Sequence, residues 1–587
     1  MDIKRTVLWV IFSMSLLLLW DNWMRANGKQ SMFFPTPSAQ QAKAGSAAAS
    51  ASAVAGAASA ASSGASNIAV AGSTAVVAAP LIKSETITVT TDLIKVDIDT
   101  IGGEIKRLEL LKYVDSDDAT KNVVLFDHHG DQTRLEKTGF FGLFGSTKEV
   151  TVPARTYAAQ TGLLGGNFPN HKSGFVALPG PRSLDSANEL NLVLESVQDG
   201  VKLVKTLTFK RGSYVIDVKH TVVNNTAAAV TPSLYLQLIH DGTKPTSGSM
   251  FTGQTEFYAP AVYTEAKHFQ KLSFEEVEKR HGKPDAKPEH ETKADNGWVS
   301  VIQHFFVSAF IPEDKVQREI RTERVRENIY SVSSVMSLGS VAPGASVTSK
   351  ARLYSGPQES AILKTVATGL PLVKDYWYFA MIAEPMFWVM EMINKVLGNW
   401  GWTIVVFTIA IKLALFPLSA AGYRSMAKMK VVTPKMTALK EKFKDEPQKL
   451  NMAMMELYKT EKINPLGGCL PILIQMPIFL ALYWVLQASV EMRGAPWMAW
   501  VTDLSKPDPY LVLPILYMIS MYITTKLSPA PADPIQAKMM LFMPLMFSVM
   551  FVFFPSGLVL YWVVNNILSI GQQWVINNKI VPPELRS

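Results

Sequence analysis

Trp402-Thr-Ile-Val-Val-Phe-Thr-Ile-Ala-Ile-Lys-Leu-Ala-Leu-Phe-Pro417 is the stretch on which the reading of this chain turns. Fifteen of its sixteen residues are uncharged, and one, Lys412, carries a cation. A bilayer span needs about 20 predominantly apolar residues at about 1.5 Å each, and residues 399 to 420 supply them. If a helix runs from Trp400 to Ala420, the Lys412 Cα lies about 3 Å past its midpoint. A charge at that depth costs about 2.5 to 3.5 kcal/mol on insertion scales. It therefore either snorkels to the surface or faces a hydrated groove, and the residues alone leave both open.

Working outward, four more segments of the same character follow, at 463 to 487, 510 to 526, 537 to 555 and 558 to 577. None of the five holds Asp or Glu in its interior. Composition agrees: of 587 residues 48% are hydrophobic and 18% charged, with mean hydropathy +0.14, too apolar for a wholly soluble chain. The single cysteine, Cys469, rules out a disulfide scaffold. The formal charge of +8 is modest, and it gathers beside the hydrophobic spans. Residues 421 to 462 carry ten Lys or Arg against five acids, whereas 488 to 509 carry two against three. By the positive-inside rule the first loop is cytoplasmic. That charge reports orientation, and no nucleic acid is expected as a direct ligand.

At the other end, Lys4 and Arg5 precede an uncharged run from Thr6 to Trp20 that lacks a small-residue cleavage pattern. Residues 1–24 thus read as an uncleaved anchor with its basic end inside. Residues 25–80 read as a flexible linker, since 23 of the 25 positions from Ala42 to Ser66 are Ala, Ser or Gly. From 81 to 370 short alternating runs appear, among them Ile94, Val96, Ile98, then Leu207, Phe209, then Leu234, Leu236, Leu238. Period two marks half-buried strands, so this is a large all-β sandwich outside the membrane, with a hairpin at Arg211-Gly212. Residues 273 to 296 read as a charged surface helix and loop. Residues 371–397 mix Trp, Phe and Met with Glu384, Glu391 and Lys395, as in an interfacial helix or the closing helix of the outer domain. Residues 398–587 form the membrane core. The architecture expected is six transmembrane helices with both termini inside, plus the outer β domain.

The chemistry is narrow. All nine histidines lie between His128 and His304, so the later spans have neither an acid nor a histidine relay for proton-coupled transport or hydrolysis. Asp127-His128-His129 lacks a third ligand at metal spacing. No cofactor, metal or catalytic residue is expected. Thr403, Thr408, Gln475, Gln487, Ser520, Asn565 and Asn566 line a hydrophilic face or join helices by hydrogen bonds. In the cytoplasmic loop Met426, Met429, Val432, Met436, Leu439 and Phe443 recur every three or four residues, then Leu450, Met454 and Leu457. Two amphipathic helices follow, turning at Asp445-Glu446-Pro447. Their methionines either pack the two arms together or receive varied apolar segments.

Asn464-Pro-Leu-Gly-Gly-Cys-Leu-Pro-Ile-Leu-Ile-Gln-Met-Pro-Ile-Phe479 and Phe554-Pro-Ser-Gly-Leu-Val-Leu-Tyr-Trp562, with Tyr423-Arg-Ser-Met-Ala-Lys-Met-Lys430 and Pro434-Lys435, resemble the YidC/Oxa/Alb insertase family from about Gly398 onward. The resemblance implies a five-helix core around a hydrophilic groove open to cytoplasm and lipid, and an outer β supersandwich. It implies nascent transmembrane segments as substrates, membrane lipids as surroundings, and the secretion translocon with ribosome or targeting factors as partners. Groove positions of that family fall on Lys412, Thr408, Gln475, Met476, Tyr561 and Trp562, and its hairpin on 421–462. The family's basic groove residue is usually Arg, and Lys412 departs from it, losing the planar fork. A channel or carrier for a small polar or anionic solute, with Lys412 as selectivity charge, is the competing reading. A sugar-binding sensor in the β domain is a third.

Overall fold

A computed structural model describes residues 84–115, 118, 120–137, 147–152, 154–243, 258–283, 286–376, 379–443, 446–461, 470–527, 542 and 548–576. The expected anchor 1–24, the linker, most of the span 537–555, and the first half of the Asn464–Phe479 motif lie outside the described residues.

The outer region folds as two large antiparallel sheets packed face to face, one of ten strands and one of nine. Alternation dictates this. In the strand Val201–Lys210 the buried positions are Val201, Leu203, Lys205, Leu207 and Phe209, with the intervening residues part-exposed. It pairs with Val215–Asn224 in the register Leu207↔Val218 and Phe209↔Ile216, so directly paired residues fill one core. The connecting turn contains Gly212 at φ 69°, a left-handed position that favours glycine. The charged insertion forms helix α1 (Phe274–Arg280), started by a capping box in which the Ser273 side chain accepts from Glu276 N–H and the Glu276 carboxylate accepts from Ser273 N–H. A short helix α2 (Ser360–Val366) and the turn Leu370–Val373 close the sandwich, with Leu363, Leu370 and Val373 in its core cluster.

Among the described residues seven α-helices follow: α3 (Ala380–Leu397), α4 (Trp400–Ala414), α5 (Phe416–Lys442), α6 (Pro447–Thr460), α7 (Leu470–Ala488), α8 (Val512–Leu527) and α9 (Ser556–Val575). Residues from α3, α4, α7, α8 and α9 share a second apolar cluster, including Phe387, Ile404, Leu482, Tyr517 and Leu560. Among the described residues no single helix is long and apolar enough to cross a membrane alone, but α4 and the first part of α5 together are, bent by 62°. The straight span expected over 399 to 420 is thus broken at Leu415. The cause is Pro417, which lacks an N–H and whose ring excludes the preceding helical carbonyl. Helix α5 then continues through Pro434 to Lys442, and with α6 it forms the expected hairpin, tied by Lys435 Nζ to Glu461 Oε1 at 2.6 Å.

Candidate functional site

Helix α9 sets the site. Tyr561, Asn565 and Ser569 recur every four residues, with Gln572 one turn on, so one face of a largely apolar helix is polar. Helix α4 carries Lys412 to this face. Its ammonium donates to Ser569 Oγ at 2.7 Å, and Ser569 in turn donates to Asn565 O at 2.7 Å. Lys412 is 7% exposed, so the side chain is turned inward onto α9 instead of snorkelling along α4. Gln572 Nε2 donates to Lys412 O at 3.1 Å, clamping the backbone of the same turn.

From α7, Gln475 Nε2 donates to Asn565 Oδ1 at 2.6 Å and to Tyr561 OH at 3.4 Å. Lys412, Ser569, Asn565, Gln475 and Tyr561 therefore form one connected seam across α4, α9 and α7. A second polar row of α9 faces α8, where Asn566 Nδ2 donates to Ser520 Oγ at 3.2 Å and Gln573 Nε2 to Leu527 O at 3.0 Å. An ammonium has three donors. Ser569 takes one, and no carboxylate among the described residues lies close enough to pair with the charge.

The structure treats the sequence candidates unequally. Lys412, Gln475 and Tyr561 come together. Thr408 is buried but donates to Ile404 O of its own helix at 2.6 Å, so it stays out of the seam. Trp562 belongs to an aromatic group with Phe479 at 4.8 Å and Phe551 at 5.9 Å between ring centres, an apolar wall beside the polar one. Met476 stands next to Gln475 on α7 and is 44% exposed. In the hairpin, Met429, Met436, Phe443 and Met454 are half-buried, and the side chain of Met426 lies outside the described residues. The methionines most open to a partner are Met452 and Met455, which sequence reading passed over. Ser569 and Gln572 were passed over too, although the four-residue spacing from Tyr561 signals Ser569.

Residues 392–583 match the family described as 60Kd inner membrane protein, and 86–154 with 150–389 match the YidC periplasmic domain. The chain is 55% identical to a membrane protein insertase YidC of Herminiimonas arsenicoxydans over 594 residues, covering 99% of both chains. It is 56% identical to that of Janthinobacterium sp. (strain Marseille), again over 99% of both, and 50% identical to that of Cupriavidus taiwanensis over 99% of this chain and 98% of the other. The chain belongs to the YidC family of membrane protein insertases. It is accordingly an inner-membrane protein without enzymatic activity, and its β sandwich is the YidC periplasmic domain.

Proposed function

We propose that this YidC-family chain inserts nascent transmembrane segments into the inner membrane through the seam of α4, α7 and α9, alone or beside the secretion translocon. The observation that carries the reading is the Lys412 ammonium, held inward at Ser569 with no acidic partner among the described residues. Among the described residues Ser569 Oγ takes one of its three donors, and the other two would receive an acidic or polar flank of a substrate. Hydrophilic flanks enter a groove wetted from the cytoplasmic side, which shortens the apolar path and lowers the cost of desolvating polar groups. The apolar segment then leaves sideways into lipid, driven by burial of its own surface, while the membrane potential draws acidic tails outward. No nucleotide is required. Both termini lie in the cytoplasm and the β domain in the periplasm, as the basic loop 421 to 462 favours. Helix α3 lies in the interface: Met386, Phe387 and Met390 pack inward while Met381, Trp388 and Met392 are exposed, an arrangement suited to lipid.

The test is purified protein in liposomes with a short single-span client and no ATP, with leak of a small anion measured in parallel. Insertion without leak is the expected result; anion flux without insertion would instead support a channel. The hairpin receives the client first. Replacing Met452 and Met455 together by serine removes two exposed thioethers and is expected to lower photo-cross-linking of an apolar client segment by about threefold, at unchanged thermal unfolding.

A further inference from the structure

Helix α7 leads at its outer end into Ser489–Arg493, and this loop is built into the sandwich. Val490 is 1% exposed and belongs to the sandwich's own apolar cluster. Beside it, Glu491 accepts from Lys374 Nζ at 2.8 Å on one oxygen and 3.1 Å on the other, and from Ser360 N–H at 3.4 Å. The Lys374 side chain is 2% exposed, and its ammonium stands 4.2 Å from the centre of the Phe387 ring on α3. Arg493 donates to Val114 O at 2.8 Å and lies over the rings of Phe305 and Phe306 at 5.8 and 5.3 Å. The neutral ring of His304 donates from Nε2 to Gln487 O at 3.0 Å, and burial holds that imidazole down at about 4. Seven consecutive residues thus meet four separate parts of the outer domain and its exit segment.

We propose that this latch is a positioning device for insertion: the Lys374–Glu491 pair fixes the outer end of α7 and, along that helix, the place of Gln475 and Met476. Gln475 lies twelve residues before Gln487, about 18 Å along the axis. The inference rests on the groove reading above. Its chemistry is specific, because a buried ion pair strands a charge when one partner is removed, so that even an isosteric neutralisation is felt. A loop that merely filled space would respond to size and be indifferent to the near-isosteric Glu491→Gln.

The experiment uses the full chain in liposomes, with Glu491→Gln, Lys374→Met, and the double variant that carries both. Spin labels on Leu480→Cys of α7 and Ile567→Cys of α9, in a Cys469→Ser background, report the helix separation. Each single variant is expected to lower the initial insertion rate by about fivefold and broaden the label distance, and the double variant to be no worse than about fivefold, since the two residues act through one pair. The proposal is overturned if insertion is unchanged by the single variants, if insertion falls while the label distance does not move, or if the losses of the two single variants simply multiply in the double variant. Failure of the groove reading shows separately, as indifference of every client to Lys412→Glu.

Discussion

Lys412→Glu is expected to reduce insertion of clients with acidic outer tails by well over tenfold while leaving neutral-tailed clients within about threefold. At an effective dielectric of about 20, two unit charges about 8 Å apart interact by about 2 kcal/mol. Lys412→Ala removes that attraction, and since about 1.4 kcal/mol is tenfold, acidic-tailed clients should slow by at least about tenfold. Glutamate adds repulsion, so it should be worse than alanine as long as it ionises. Lys412→Arg retains the charge, and Ser569 Oγ remains available as a single acceptor, so it should be tolerated. The measurement is initial insertion rate in liposomes for two clients that differ only in tail charge. Equal rates for the Ala and Glu variants and the parent on both clients would remove the electrostatic step. Ser569→Ala should fall between parent and Lys412→Ala, because it frees the ammonium from its anchor without removing the charge.

A second large effect is expected in the outer domain, whose stability should rise as pH is raised from about 7 to about 9.5. Lys205 is fully buried between the sheets, with its ammonium donating to Gly102 O at 2.5 Å and Thr161 O at 2.8 Å and facing the Phe175 ring at 4.5 Å. Burial pulls this amine down to about 7, with Glu104 opposing the shift. Between that value and the ordinary lysine range, the unfolded chain holds a proton that the folded one has released. Unfolding therefore takes up a proton, and stability climbs with pH at about 1.4 kcal/mol per unit in that window, a gain of roughly 3 kcal/mol. His220 adds an acid limb. Its ring is pushed down to about 3, first by burial and then by Lys205, so stability is lost as pH falls from about 6.5. Urea unfolding of residues 84–373 at a series of pH values checks both limbs. Lys205→Met should abolish the alkaline rise and leave the acid loss, and a rise that persists in that variant would rule out Lys205 as its source.

Lys205 also marks the limit of pattern reading. The alternation Val201, Leu203, Leu207, Phe209 identifies a strand and its buried face, and its period then forces position 205 inward whatever residue stands there. That a lysine is accommodated depends on a carbonyl from the turn at Gly102, another from Thr161 on a distant strand, and the Phe175 ring from a third place in the chain, none of which a local window contains. The same holds at Pro417. Its presence was visible, but whether the chain ended or only bent there depended on how α5 packs against α4 and α7.

What the sequence determined by itself was what has a short period or a local cause: the outer strands, the two helices of the hairpin, the basic loop, and a lone cation within an apolar run. Those follow from side-chain alternation, helical spacing and the cost of charge in lipid, all of which are written along the chain. Only the tertiary structure decided which polar groups meet: Lys412 with Ser569 across 157 residues, Gln475 with Asn565 across 90, and Lys374 with Glu491 across 117. A hydrogen bond is directional and closes within about 3 Å, and so it is selected by packing that brings distant segments together, on which local periodicity is silent.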